Sequence, residues 1–194
     1  MGFLDTFNMA ILNQFKDWHG PIIDKIMLAF TRIGTDGLVF LIIGLILLIT
    51  VKHRKVGFMI FFASSINLVL VEFFKHIVKE PRPFLTHPEL LNSVIGVAPH
   101  SYSFPSGHAS AAFVGAFILA YYFKKWAIPV YLLAIAIAVS RPFLLVHYPT
   151  DVIAGAIIGI VSSILAFFFY RIILKRYFMG ILRGLKIEKY RSKH

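Results

Sequence analysis

The apolar positions of this chain fall into five runs that are long enough to predict membrane-spanning helices. They cover residues 37–51, 56–78, 107–123, 126–146 and 152–174. A hydrocarbon core of about 30 Å takes about 20 helical residues, so the first and third runs need flanking residues to cross it. A spanning segment must satisfy its own backbone hydrogen bonds, and none of these runs alternates as a barrel strand does. The pattern therefore predicts an all-α integral membrane protein.

The first 36 residues have a different pattern, typical of helices that lie at a membrane surface. Leu4, Phe7, Ile11, Phe15 and Trp18 share one helical face, on which Asn8 is the one polar residue. The apolar stretch 22–30 is short and carries two charges, which favours a second surface helix. We therefore predict a single domain with interfacial helices at 1–36, a bundle of five transmembrane helices at 37–174 and a basic tail at 175–194. The bundle has six helices if the stretch 22–30 also spans.

Composition and charge support a membrane location and indicate an orientation. Hydrophobic residues make up 58% of the 194 residues, mean hydropathy is +0.78, and there is no cysteine to form a disulfide or a thiolate site. The net charge of +11 lies at the ends of the apolar runs, which indicates contact with lipid headgroups and no nucleic acid partner. The predicted inner face carries thirteen Lys and Arg residues and one acid, Glu188. The positive-inside rule then places the C-terminus in the cytoplasm and the loop 79–106 outside.

Polar groups that membrane helices rarely carry converge at the predicted outer ends of these runs. They are Lys75, Arg82, Ser106, Gly107, His108, Ser140, Arg141, His147 and Asp151. Each has an ordinary explanation by itself, such as a lysine that snorkels or an arginine that contacts headgroups. Their convergence at one depth instead predicts a site. Pro105 and Ser106 also predict a helix start, where free backbone N–H groups and the helix dipole favour an anion.

These residue types suit the transfer of a phosphoryl group. Lys75, Arg82 and Arg141, with the helix start at Ser106 and Gly107, can surround a phosphate. One histidine then attacks phosphorus or activates water, and the other protonates the leaving group. Asp151 follows His147 by four residues and can orient that imidazole, which favours His147 as nucleophile and His108 as general acid. The spacing of His147 and Asp151 could suggest a metal site, but the three cations around them would repel a divalent ion. We therefore predict no metal and no other cofactor.

Three motifs in this order resemble the signature of the type 2 phosphatidic acid phosphatase family. They are Lys75 with Arg82-Pro83, then residues 105–108 (Pro-Ser-Gly-His), then Ser140-Arg141 with His147 and Asp151. The resemblance implies a metal-independent lipid phosphatase that forms a phosphohistidine at His147. Many relatives have six spans where five are predicted here.

The expected reaction removes the terminal phosphate of a membrane lipid phosphate or diphosphate at the outer face of a bacterial cytoplasmic membrane. Undecaprenyl diphosphate is favoured because the family includes phosphatases that recycle it, and phosphatidylglycerol phosphate and phosphatidic acid are the alternatives. Two other functions stay open from the residues alone: a carrier that moves a lipid phosphate without chemistry, and a phosphotransferase whose acceptor is not water. The loop 84–103 carries Leu90, Leu91, Val94 and Ile95, and we expect it to cover the site and help to select the headgroup.

Overall fold

A computed structural model describes residues 2–96 and 100–174, so the predicted basic tail lies outside the described residues. Within those ranges the regular secondary structure is helical, without strands. The helices are α1 (Phe3–Asp17), α2 (Pro21–Ile33), α3 (Leu38–Ile49), α4 (Arg54–Val78), α5 (Pro83–Thr86), α6 (Gly107–Tyr122), α7 (Ala127–Phe143) and α8 (Pro149–Phe169). Short 3₁₀ turns occur at Thr35–Gly37, Val51–His53, Pro88–Ser93 and Lys124–Trp126, and a π-helical turn at Tyr170–Leu174 extends α8.

Apolar helices in the described residues are long enough for three membrane spans, or four if a bent pair is counted as one span. Helices α4, α7 and α8 contribute the three long candidates, each with its neighbouring turns. Helix α6 is also apolar, but its 16 residues make it about 24 Å long. The prediction of an all-helical membrane protein is confirmed, while the count of five or six spans stays a prediction.

The N-terminal half differs from the expectation of a surface helix followed by a separate span. Helix α3 has 12 residues, about 18 Å, which is too short to cross a bilayer alone. Helices α2 and α3 qualify as a span only together, across a bend of 43°. The bend lies where Asp36 and Gly37 have positive φ angles of 48° and 73°, a conformation that ends a helix and that glycine adopts at little cost. The boundary expected at residue 36 therefore falls inside one bent helical pair.

The core of the bundle is the tight contact between α6 and α8. A Cβ atom added to Gly155 would lie 2.5 Å from the backbone carbonyl oxygen of Ser106, and one added to Gly159 would collide with that of Ser110. The two glycines, spaced four apart, therefore allow the backbones of the two helices to touch, as such pairs do in membrane helices. This contact brings the helix start at Gly107 beside the first turn of α8, which carries Asp151.

Helix α1 packs against the connection between α7 and α8. Leu12 is fully buried against Leu90, Leu145 and Tyr148. Asn8, the polar exception on the apolar face, is also buried: its Nδ2 donates to Thr150 Oγ1, and its Oδ1 accepts from the Thr150 amide. Asn8 therefore caps the first turn of α8. Phe3, Leu4, Phe7 and Trp18 stay exposed, and the interfacial role of this segment stays a prediction.

We expect Gly159→Val to destabilise the bundle, because its new side chain meets the backbone of α6 and not a movable side chain. Overpacking of this kind costs about 1–3 kcal/mol. Thermal unfolding in detergent measures the loss. The control is Val161→Leu, which adds volume to an exposed position of the same helix. Equal melting temperatures for the two variants would contradict the close contact.

Candidate active site

A buried pair of side chains, His147 and Asp151, forms the centre of the site. His147 lies in the connection between α7 and α8, with its Nδ1 at 3.3 Å from Oδ2 of Asp151. The same Oδ2 accepts hydrogen bonds from the Ser103 hydroxyl at 2.5 Å and the Tyr148 amide at 2.8 Å. His147 is 2% exposed and Asp151 is fully buried. Three donors therefore fix the carboxylate, and the carboxylate fixes the imidazole.

The other imidazole nitrogen shows which tautomer His147 adopts. Nη1 of Arg82 lies 3.0 Å from Nε2 of His147. A guanidinium can only donate, so Nε2 is the acceptor and Nδ1 carries the proton that bonds to Asp151. The nucleophilic lone pair of His147 therefore points toward a cation, where a phosphate would be held.

Burial favours the neutral form of this histidine. Loss of solvation, with the charges of Arg82 and Arg141, lowers the pKa of His147 to about 4, although the hydrogen bond to Asp151 opposes the change. A neutral imidazole is the form that can attack phosphorus.

Hydrogen bonds to Ser101 and Val146 fix the position of Arg82. Its Nε donates to the Ser101 carbonyl at 2.8 Å, Nη1 donates to the Val146 carbonyl at 2.7 Å, and Nη2 donates to the Ser101 hydroxyl at 3.1 Å. Lys75 reaches the same hydroxyl, with its Nζ at 3.5 Å, and also lies 3.8 Å from Glu72. Ser101 thus joins the two cations of the first motif, although they come from different segments.

Arg141 completes the cluster of cations from the opposite side. It is buried in the last turn of α7, and its Nη1 donates to Thr31 of α2. Its buried Nε has no hydrogen-bond partner within the described residues. This N–H group is therefore available to donate to a bound anion. The charges of Arg141, Arg82 and Lys75 all act on His108, as does His147. The three motifs therefore meet around one space.

The helix start at residues 106–108 follows the predicted geometry with one change. Ser106 is the N-cap of α6, and its hydroxyl accepts from the Ala109 amide at 3.5 Å. The Ser106 amide is already bonded to the Asp151 carbonyl at 3.1 Å. The donors left for an oxyanion at this helix start are therefore the amides of Gly107 and His108, which have no helical partner.

A cavity of about 410 Å³ runs from this helix start into the membrane region, between α3, α4 and α6. Lys75 and Gly107 line it at the site, and Leu68, Phe61 and Leu41 line it farther along. Lys75 and Phe61 are 14 residues apart on α4, or about 21 Å along the helix axis. The cavity is therefore long enough for part of a lipid chain.

The structure brings together all eight predicted site residues, and it adds three that the motifs did not indicate. Ser103 donates a hydrogen bond to Asp151, and Ser101 accepts from Arg82 and Lys75. Thr31 accepts a hydrogen bond from Arg141. Ser140 belongs to the third motif, but its hydroxyl bonds to Ile137 of its own helix. Serine and threonine are common in loops and helices, so only the fold identifies these three partners.

The remaining histidines lie apart from this cluster. His76 is exposed and contacts Glu72, and His87 pairs with Glu89 in the outer loop. Across residues 2–96 and 100–174, no three His, Asp or Glu side chains group as a metal-binding set. The prediction that the reaction needs no metal stays a prediction.

A buried histidine backed by a carboxylate and facing several cations, within a membrane bundle, defines a membrane-embedded phosphate-processing enzyme. Residues 52–176 match the model of the PAP2 superfamily. The chain belongs to this family, which confirms the resemblance that the three motifs indicate and the prediction of a lipid phosphatase.

Curated relatives agree with this family. The chain is 31% identical over 162 residues to an undecaprenyl-diphosphatase of Sulfolobus acidocaldarius, covering 82% of this chain and 74% of that protein. It is also 31% identical over 173 residues to a lipid A 4'-phosphatase of Bacteroides thetaiotaomicron, covering 81% of this chain and 74% of that protein.

Solved structures share the fold. The crystal structure of Aquifex aeolicus LpxE superposes with a TM-score of 0.73 at 29% identity, over 86% of this chain and 99% of that one. The structure of a PAP2 type phosphatidylglycerolphosphate phosphatase from Bacillus subtilis superposes with a TM-score of 0.72 at 22% identity, over 89% of each chain. At this identity it supports the fold alone.

We expect the acid limb of the pH profile to lie well below pH 6.5, the ordinary pKa of histidine. A nucleophilic His147, as the motifs predict, must be neutral, so kcat/KM should fall as the pH drops through its lowered pKa, which is about 4. Hydrolysis of a soluble short-chain lipid phosphate between pH 3.5 and 9 measures this limb. His76→Gln, at an exposed histidine, is the control, and an acid limb near pH 6.5 would contradict the burial of the nucleophile.

We expect Ser103→Ala to lower kcat about tenfold. Its hydroxyl donates to a buried carboxylate, a bond that contributes about 1.5–3 kcal/mol, and 1.4 kcal/mol corresponds to a factor of ten. The same assay measures the loss. Thr50→Ala is the control, because that hydroxyl bonds to its own helix at the far end of α3. An unchanged kcat would show that Ser103 does not support Asp151.

Proposed function

We propose that this enzyme hydrolyses the terminal phosphate of a membrane lipid phosphate or diphosphate through a phosphohistidine at His147. The observation that supports this most directly is the orientation of His147. Its Nδ1 is held by Asp151, while its Nε2 faces Arg82. A phosphate that replaces the contact between Arg82 and Nε2 would meet a cation and a nucleophile together.

The reaction proceeds in two steps in this proposal. Nε2 of His147 attacks phosphorus, the bond to the leaving oxygen breaks, and His108 gives that oxygen a proton. Water then attacks the phosphohistidine and passes a proton to His108, which releases inorganic phosphate and restores both histidines. Lys75, Arg82 and Arg141, with the helix start at residues 106–108, hold the phosphate and the charge that develops on its oxygens.

The cavity between α3, α4 and α6 is the proposed path of the lipid chain. One end reaches Lys75 and Gly107, and the other reaches Phe61. An apolar chain in this cavity would place its phosphate against the helix start. We propose that the loop of residues 84–103 covers the site and contributes to the choice of headgroup, and within it Leu90 packs against Leu12 of α1.

Undecaprenyl diphosphate is the proposed substrate. Two relatives named undecaprenyl-diphosphatase support it: the one from Sulfolobus acidocaldarius, and BcrC of Bacillus subtilis, which is 25% identical over 153 residues. A phosphorylated lipid A is the second candidate, since a lipid A 4'-phosphatase is equally similar to this chain. Phosphatidylglycerol phosphate and phosphatidic acid remain in the set to be tested.

The proposed location is the bacterial cytoplasmic membrane, with the site on the extracytoplasmic side. The bias of Lys and Arg toward the opposite loops supports this orientation. The loops that carry Arg82, His147 and the helix start then lie at the outer leaflet.

We expect the detergent-purified protein to release inorganic phosphate from undecaprenyl diphosphate faster than from lipid A, phosphatidylglycerol phosphate or phosphatidic acid. A chelator present throughout tests whether a metal is needed. His147→Ala should abolish release, and His76→Ala, which changes an exposed histidine of α4, is the matched control.

Each outcome of this assay is informative. Release from every lipid at similar rates would contradict the proposed substrate but not the phosphatase. No release by a folded wild-type protein, with transfer of the lipid phosphate across a vesicle membrane, would favour the carrier. Activity lost to the chelator and restored by a divalent ion would contradict the metal-free mechanism.

A further inference from the structure

One buried oxygen of the central carboxylate is not explained by the hydrogen bonds already described. Oδ2 of Asp151 accepts from Ser103, Tyr148 and His147, whereas the buried Oδ1 has no donor in the part of the chain that the structure describes. A buried carboxylate oxygen without a donor is costly, so a neighbouring group is expected to supply one.

The neighbour in position to do so is the side chain of Glu80. Ser103 ties the two acidic residues together: its amide donates to the Glu80 carbonyl at 2.8 Å, and its hydroxyl donates to Asp151 at 2.5 Å. These two hydrogen bonds of Ser103 bring the Glu80 backbone beside the Asp151 carboxylate, whose charge acts on the Glu80 carboxyl. Two ionised carboxylates repel each other, whereas one proton between them makes a hydrogen bond.

We propose that Glu80 is a positioning residue whose protonated carboxyl donates to Oδ1 of Asp151 and so holds that carboxylate against His147. This inference rests on the proposed function, in which His147 is the nucleophile. Asp151 then has a donor on each oxygen. Asp151 also stays singly charged, so that its Oδ2 can accept the hydrogen bond of the His147 imidazole.

The surroundings of Glu80 favour its neutral form. Burial and the charge of Asp151 raise the pKa of Glu80 to about 7, and Asp5 of α1 acts in the same direction. The phenol of Tyr148 also lies in the field of these acids. His147 bonds to Oδ2 of Asp151, and Arg82 bonds to His147. No cation among these groups pairs with Glu80.

Loss of the proton from Glu80 has a defined consequence. As the pH rises through its raised pKa, a second negative charge appears beside Asp151 and the donor to Oδ1 disappears. Asp151 is then pushed from its position, and the added charge also opposes an anionic phosphate. The alkaline limb of kcat/KM should therefore contain a contribution from Glu80.

The test compares Glu80→Gln with Glu80→Ala. An amide donates as the protonated carboxyl does but cannot ionise, so Glu80→Gln should stay within about threefold of the wild type at pH 6 and exceed it at pH 8.5. Glu80→Ala removes the donor and should lower kcat/KM about tenfold at pH 6. That difference from the wild type should disappear at pH 8.5, where Glu80 of the wild type has lost its own proton. Glu89→Gln, at an exposed carboxylate of the same outer loop, is the matched control. A wild-type alkaline limb in Glu80→Gln, or wild-type activity of Glu80→Ala at pH 6, would overturn the proposal.

A second measurement needs no substrate. A carboxyl whose pKa is higher in the folded than in the unfolded state stabilises the fold at low pH, and this stabilisation is lost as the pH rises from about 4 to about 7. The melting temperature of the wild type should fall across that range relative to Glu80→Gln. Equal pH dependence in the two proteins would also overturn the proposal. If the wild type hydrolyses none of the lipids, the proposed function fails, and this comparison still tests Glu80.

Discussion

The carboxylate of Asp151 is the point on which the architecture of the site depends. It is fully buried in the first turn of α8, where backbone donors and the helix dipole favour a negative charge. A charge taken out of water must be compensated by hydrogen bonds and partners. Ser103 from the outer loop, Tyr148 and His147 provide that compensation. One desolvated charge thus determines where a loop, a helix start and a histidine come together.

The cations of the site need an equally strict arrangement. Arg82, Arg141 and Lys75 repel one another, and the two arginines are buried away from the solvent that would screen their charges. The backbone carbonyls of Ser101 and Val146 hold Arg82, and a hydroxyl of α2 holds Arg141. These neutral acceptors position positive charge without neutralising it, which leaves the attraction available for an anionic ligand.

Much of this site could be predicted because its chemistry uses rare residue types at fixed spacings. A histidine four residues before an aspartate, or an arginine at the end of a membrane helix, is conspicuous in an apolar chain. Ser103 and Thr31 could not be predicted in this way, because hydroxyls are frequent and their partners lie 48 and 110 positions away.

The same distinction applies to the fold. Apolar length indicates helices well, so α4, α6, α7 and α8 begin and end close to the predicted runs. It does not reveal that α2 and α3 form a bent pair, since the bend depends on two backbone angles at Asp36 and Gly37. Nor does it reveal that Asn8 caps α8, because a polar residue on an apolar face has many possible partners.

The contact between Thr31 and Arg141 crosses the boundary of the segment that matches the family. The family match begins at residue 52, yet an arginine of its third motif is held by a side chain that precedes the match by twenty-one positions. Residues of the family match and a helix that precedes it therefore both contribute to the candidate site. Exchanging the first fifty residues between relatives would therefore also replace the side chain that holds Arg141.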